Sequence, residues 1–226
     1  LQLRWDLYHA QQKEAETLAK IQQYKPQHPR ERRRKMAMVY RKMRIDEQGS
    51  DFAYWQSRPP IERLEALEQS EKNTTIGNMV RNQDFREFLQ SLNDNNVHYL
   101  VVGGHAVAFH GHPRYTKDLD VWVLLDKNNA RKIVAALHQF GFASLGLTTK
   151  DFLEPNTTIQ LGYPPSRIDI LIGLEGMEFE QCFGKRIETT IDGLKVNFID
   201  LESLRRAKQL AGRPRDLDDL NQLSEY

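Results

Sequence analysis

Asp118 and Asp120 stand one residue apart in "TKDLDVWV", with Leu119 between them and an apolar run behind them. Side chains alternate along a strand, so both carboxylates point to one face. Two like charges held that close raise each other's pKa and cost stability unless a cation, a basic partner or water lies between them. A third acid, Asp169 in "SRIDILIG", follows 49 residues after Asp120, again between apolar neighbours on an expected strand. Upstream, "VVGGHAV" runs an apolar strand into Gly103 and Gly104 and then into a helix. A glycine pair there lets bare backbone approach a ligand, and the N–H groups at a helix start favour phosphate. No Gly-Lys-Ser/Thr follows, and the Gly-x-Gly-x-x-Gly spacing is missing, so this is neither a Walker loop nor a dinucleotide fingerprint. His105, His110 and His112 lack the i, i+4 spacing of a helical zinc pair and have no cysteine to assist them, which assigns them to structure or substrate lining.

The elements that must position these groups follow in a clear order from Met79. "NQDFREFLQSLNDNN" reads as a helix that buries Phe85, Phe88, Leu89 and Leu92. A strand at His98 to Val102, a short helix after Gly104 and a strand at Leu119 to Leu125 come next. "NNARKIVAALHQFGF" is a second amphipathic helix. Strands are expected at Thr157 to Leu161, Arg167 to Ile172, Arg186 to Ile191 and Lys195 to Ile199, then helices at Leu201 to Leu210 and Asp216 to Leu223. Strands mixed with covering helices give an α+β (α/β-like) domain around one mixed sheet.

The first 78 residues differ in kind. From Lys25 to Arg44 there are nine Lys or Arg and one acid, Glu31, whereas Met79 to Tyr226 is slightly acidic on balance. The basic stretch suits either a solvated helix face or contact with nucleic acid. A helix is expected over Trp5, Tyr8, Ala15, Leu18 and Ile21, ended by Pro26 and Pro29, with a second helix after Pro29. Phe52, Tyr54 and Trp55 precede a Pro-Pro break and a short helix carrying Ile61, Leu64 and Leu67. Apolar stripes of this sort need a partner or the main domain to cover them. "SEKNTTIGN" reads as a linker, which divides the chain into a mainly helical, basic extension at 1–78 and a second domain at 79–226.

At 226 residues, with 39% hydrophobic and 28% charged residues, the composition is that of an ordinary soluble protein. No apolar run reaches membrane-spanning length and no signal-peptide pattern opens the chain, so a cytoplasmic location is expected. Cys182 stands alone, which rules out an internal disulfide and reads as a small buried residue near a helix.

Gly103-Gly104, Asp118-Leu119-Asp120 and Asp169 together resemble the nucleotidyltransferase superfamily of the DNA polymerase β type. "TKDLDV" and the closing "AKQLAGRPRDLDDLNQL" are similar to stand-alone bacterial minimal nucleotidyltransferases, including toxins of the abortive-infection type; the likeness covers roughly Asn82 to Leu223. The resemblance implies an enzyme that uses an NTP as substrate and two Mg2+ ions held by Asp118, Asp120 and Asp169. Two such ions about 3.5 to 4 Å apart stabilise the attacking and leaving oxygens of an in-line displacement. Asp169 would complete the nucleophile side and help deprotonate the incoming hydroxyl. Gly103, Gly104, His105 and Thr116 would line the nucleotide, with Arg114, Lys208 and Arg213 as candidates for the triphosphate. His105 departs from the pattern, since no serine hydroxyl follows the glycines and phosphate contact must come from backbone donors.

Three functions follow from this reading. The first is transfer of NMP to a macromolecule, a tRNA or a partner protein, as in toxin-antitoxin or defence modules. A small-molecule transferase of the aminoglycoside-modifying kind is the second, and a non-catalytic nucleotide-binding or interaction module the third. The intact triad speaks against the third, and the basic segment favours a macromolecular acceptor. "RKMRIDEQGSDFAYWQSRPPIERLEALEQ" resembles the opening of small proteins encoded beside such transferases. Residues 1–78 are accordingly expected to act as a fused antitoxin-like partner or recruiter, packed on the 79–226 domain or on a second copy of the chain.

Overall fold

The computed structural model describes residues 36–47, 76–112, 116, 118–163 and 166–223. Seven strands form one mixed sheet: β1 (Tyr40–Arg44), β2 (Tyr99–Val101), β3 (Asp118–Val123), β4 (Thr157–Tyr163), β5 (Ser166–Ile172), β6 (Ile187–Ile191) and β7 (Leu194–Phe198). Their order across the sheet is β1-β4-β5-β3-β2-β7-β6. β3 runs parallel to β5, and β2 parallel to β7, while every other neighbouring pair is antiparallel. The helices are α1 (Ile76–Arg81), α2 (Gln83–Asp94), α3 (Gly103–Phe109), α4 (Lys127–Phe140), α5 (Phe179–Gly184), α6 (Leu201–Ala211) and α7 (Pro214–Leu223). This is the α+β architecture that the sequence order calls for.

The strands beside the acids are near-continuous apolar runs, as buried parallel strands require. Leu119, Val121 and Val123 of β3 and Ile168, Ile170 and Ile172 of β5 alternate with the acids and are all buried. Each such side chain contributes about 1.5 to 3 kcal/mol on burial, which fixes the register and with it the direction of the carboxylates. α2 and α4 pack on each other, with Phe88 edge-on to Phe140 at 5.3 Å. Asn82 accepts from the Asp84 and Phe85 amides to start α2, and Asp126 accepts from those of Asn128 and Asn129 to start α4. Such caps satisfy amides with no partner inside the helix. Cys182 is buried on α5. None of the described helices is long and apolar enough to cross a membrane.

One element corrects the sequence reading. The helix expected after Pro29 does not extend through the basic run, since Tyr40–Arg44 is a strand paired antiparallel with β4, Tyr40 opposite Leu161 and Arg44 opposite Thr157. Within "VYRKMR" Met43 is buried while Tyr40, Arg41 and Arg44 stay exposed. The open edge of β4 offers a row of amide and carbonyl groups that this stretch satisfies. The chain is fixed just ahead of the strand, where the Met36 amide donates to Asp84 Oδ2 at 3.1 Å and the Met36 side chain closes over Gly162. α1 likewise takes in Ile76 to Asn78, residues read as linker. The aromatic stripes at Trp5, Tyr8, Phe52, Tyr54 and Trp55 lie outside the described residues, as do the basic residues up to Lys35.

Candidate active site

Asp118 and Asp120 sit at the start of β3 with Leu119, fully buried, between them. The parallel register sets Asp120 beside Asp169 and Asp118 beside Arg167. Paired residues on neighbouring strands share a face, so the three carboxylates and one guanidinium form a block two residues by two strands. Further along the same face of β3, Trp122 is buried edge-on against Phe179 of α5.

Arg167 supplies the positive charge that the acid pair demands. Its Nη2 donates to Asp118 Oδ2 at 2.6 Å and to Asp169 Oδ2 at 3.2 Å, and its Nε donates to Asp169 Oδ1 at 2.9 Å. The planar fork suits this double recognition, which a lysine could not reproduce. Gln160 of β4, the register partner of Asp169, donates to its Oδ2 at 3.3 Å. Asp169 is 1% exposed, Asp118 is 19% exposed, and Asp120 is half-buried. Burial pushes the Asp169 carboxyl up to about 7, against the pull of Arg167 and with a further push from the charge of Asp120.

The glycine turn lies directly against this block. The Val102 amide donates to the Asp120 carbonyl at 3.0 Å, and the chain then turns into α3 at Gly103 with φ +60°. A Cβ at Gly103 would fall on the Asp120 carboxylate, so only glycine satisfies both the left-handed backbone and the close approach. Gly104 is buried in the first turn of α3.

The remaining candidates divide. His105 is buried with its ring edge-on to Phe85 of α2, 6.0 Å between centroids, and so belongs to the core packing. Thr116 directs its hydroxyl to the Asp118 carbonyl at 3.3 Å. Arg114 lies outside the described residues. Lys208 is 7% exposed, its ammonium held between Asp216 and Asp219 at 2.7 Å from each, a buried ion cluster that ties α6 to α7. Arg213, at the turn between those helices, is 60% exposed and donates to Asp216 at 2.7 Å. Burial works against its charge, but the Asp216 hydrogen bond and the charges of Asp216 and Asp120 raise its pKa overall. That influence of Asp120 places Arg213 within electrostatic reach of the acids. Arg167 and Gln160 escaped the sequence reading, although Arg167 stands two residues before Asp169 and alternation alone puts both on one face.

Carboxylate oxygens are the donors that hard divalent ions such as Mg2+ select. Among the described residues no three His, Cys, Asp or Glu side chains converge on a ready-made metal position, because a guanidinium fills the space between Asp118 and Asp169. Asp118, Asp120 and Asp169 supply carboxylate oxygens of the kind such an ion takes, and Arg167 occupies the position between Asp118 and Asp169.

No protein-family model matches the chain, and no curated protein matches it. Among solved structures, it is similar to an antigenic nucleotidyltransferase-like protein from Paracoccidioides brasiliensis, at 20% identity and TM-score 0.40 over 60% of this chain and 71% of that one. It is also similar to a candidate nucleotidyltransferase from Thermotoga maritima, at 16% identity and TM-score 0.39 over 61% of this chain and 88% of that one.

Proposed function

We propose that the chain is a Mg2+-dependent nucleotidyltransferase that moves NMP from an NTP to a hydroxyl of a macromolecular acceptor. The observation that carries this reading is the register pairing of Asp120 with Asp169, which puts three carboxylates on one sheet face beside a glycine turn that only glycine can make. In the reaction the acceptor oxygen bonds to the α-phosphorus, the bond from that phosphorus to the bridging oxygen breaks, and pyrophosphate leaves. Divalent ions bound here would neutralise charge on the entering and leaving oxygens. Asp118 and Asp120 would hold the cation that engages the donor phosphates over β3, and Gly103 keeps the space beside Asp120 clear of side-chain atoms. Asp169, two residues from Arg167 and beside Asp120 in the register, would take the proton of the acceptor hydroxyl. Arg213, exposed at the α6–α7 turn, meets the leaving phosphates.

The test is incubation with each NTP, labelled in turn on the α- and the γ-phosphate, with Mg2+, total tRNA and cell extract. Transfer of α-label alone is expected. γ-Label on the acceptor would indicate a kinase, and no label from any NTP would remove the proposal.

A further inference from the structure

Asp120, Asp169, Gln160 and Arg41 are successive register partners across β3, β5, β4 and β1. Gln160 donates to Asp169, which fixes its side chain on the acid face, and Arg41, paired directly opposite Gln160, shares that face. Two strand spacings, about 10 Å, separate the Arg41 and Asp169 backbones, one nucleotide's reach for a long side chain. Arg41 is exposed, and no carboxylate accepts from it among the described residues. Its neighbours are neutralised: Lys42 pairs with Asp151 at 3.3 Å and Glu154 at 2.9 Å, and Arg44 pairs with Asp46 at 3.0 Å. β1 is no loose tail, being held by five paired residues and by Met36 on Asp84 and Gly162.

In-line displacement sets the polarity of this row. The entering hydroxyl and the leaving pyrophosphate lie on opposite sides of the phosphorus. The Gly103 turn adjoins Asp120, so the acceptor comes in over Asp169 and across β4 towards β1. There it meets the uncompensated guanidinium of Arg41, whose fitting partner is an anionic group of the acceptor. We propose that β1 is the acceptor-side wall of the site, and that Arg41 binds a backbone phosphate of an RNA whose terminal ribose supplies the hydroxyl. The inference rests on the transferase reading above and adds to it the class of acceptor.

The test separates the two. Binding of a short single-stranded RNA with a free 3′-hydroxyl is followed by fluorescence anisotropy on the full chain, in chelator and without NTP, from 50 to 200 mM salt. Arg41→Gln is expected to weaken binding on the order of fivefold at low salt and to reduce the salt slope by about 0.7, the share of one phosphate contact on a single strand. Arg41→Glu should weaken it further and Arg41→Lys should restore most of it, with Mg2+-NTP affinity unchanged in all three. RNA affinity and salt slope equal to wild type in Arg41→Gln and Arg41→Glu would overturn the proposal, as would label transferred to protein by a chain with no RNA affinity. RNA bound through Arg41 without transfer of label would instead uphold the site and overturn the transferase reading.

Discussion

Arg167 Nη2 lies 2.6 Å from Asp118 Oδ2, and the same guanidinium forks onto Asp169 two residues along its own strand. The acids are thus assembled around an internal cation, and removing that cation should expose their repulsion. Taking one partner from a buried ion pair costs about 3 to 5 kcal/mol. Arg167→Gln is expected to lower the melting temperature markedly in chelator and to recover with Mg2+ far more than wild type does. Thermal unfolding with and without Mg2+ measures this, and equal Mg2+ responses in the two proteins would count against a shared place for ion and guanidinium.

Gly103 makes a sharper structural demand. Gly103→Ala forces a Cβ onto the Asp120 carboxylate and strains a backbone at φ +60°. Displacing a catalytic group by about 1 Å costs on the order of 100-fold in rate, so transfer should fall by that much while the circular dichroism spectrum stays native. A rate within threefold of wild type would show that Asp120 has room to move.

Lys208 and Arg213 should part ways. Lys208→Met leaves Asp216 and Asp219 facing each other in a buried cluster and should lose about 3 to 5 kcal/mol of stability in urea unfolding. Arg213→Gln takes one of two cations from Asp216 but leaves Lys208 in place, and should cost much less stability than Lys208→Met while raising the KM for NTP. The reverse pattern would return the triphosphate to Lys208.

The pH dependence follows from Asp169. Its carboxyl rises from an ordinary 3.8 to about 7 in the fold, so between those values the folded state holds a proton that the unfolded state has released. This group's contribution therefore makes stability in chelator fall as pH rises from about 4 to about 7, and level off above. Asp169→Asn removes that slope. Unfolding free energies of both proteins at pH 4.5, 6 and 7.5 check it, and parallel curves would place the Asp169 carboxyl in its ordinary range.

The acids were legible because strand alternation is local: Leu119 and Ile168 had to be buried, so Asp118, Asp120 and Asp169 had to share the other face. Arg167 carried the same signal two residues from Asp169, hidden because "SRIDILIG" reads first as an apolar strand with one anomaly. β1 was a different matter. Five residues inside a basic run have no local reason to prefer a strand, and what decides them is the open edge of β4, more than 100 residues further on. Lys208 looked like a phosphate ligand because its two acid partners lie on the next helix, and only the α6–α7 turn folds Asp216 and Asp219 back onto it.

The most direct measurement is α-label transfer by wild type and by Asp120→Asn, with both proteins shown to be folded by their thermal transitions. Asp120 meets Asp169 in the register and Gly103 at the turn, so the account predicts labelled macromolecule from wild type, none above background from Asp120→Asn, and a melting temperature for the variant equal to or above that of wild type as repulsion is relieved. Equal labelling by the two proteins would contradict it.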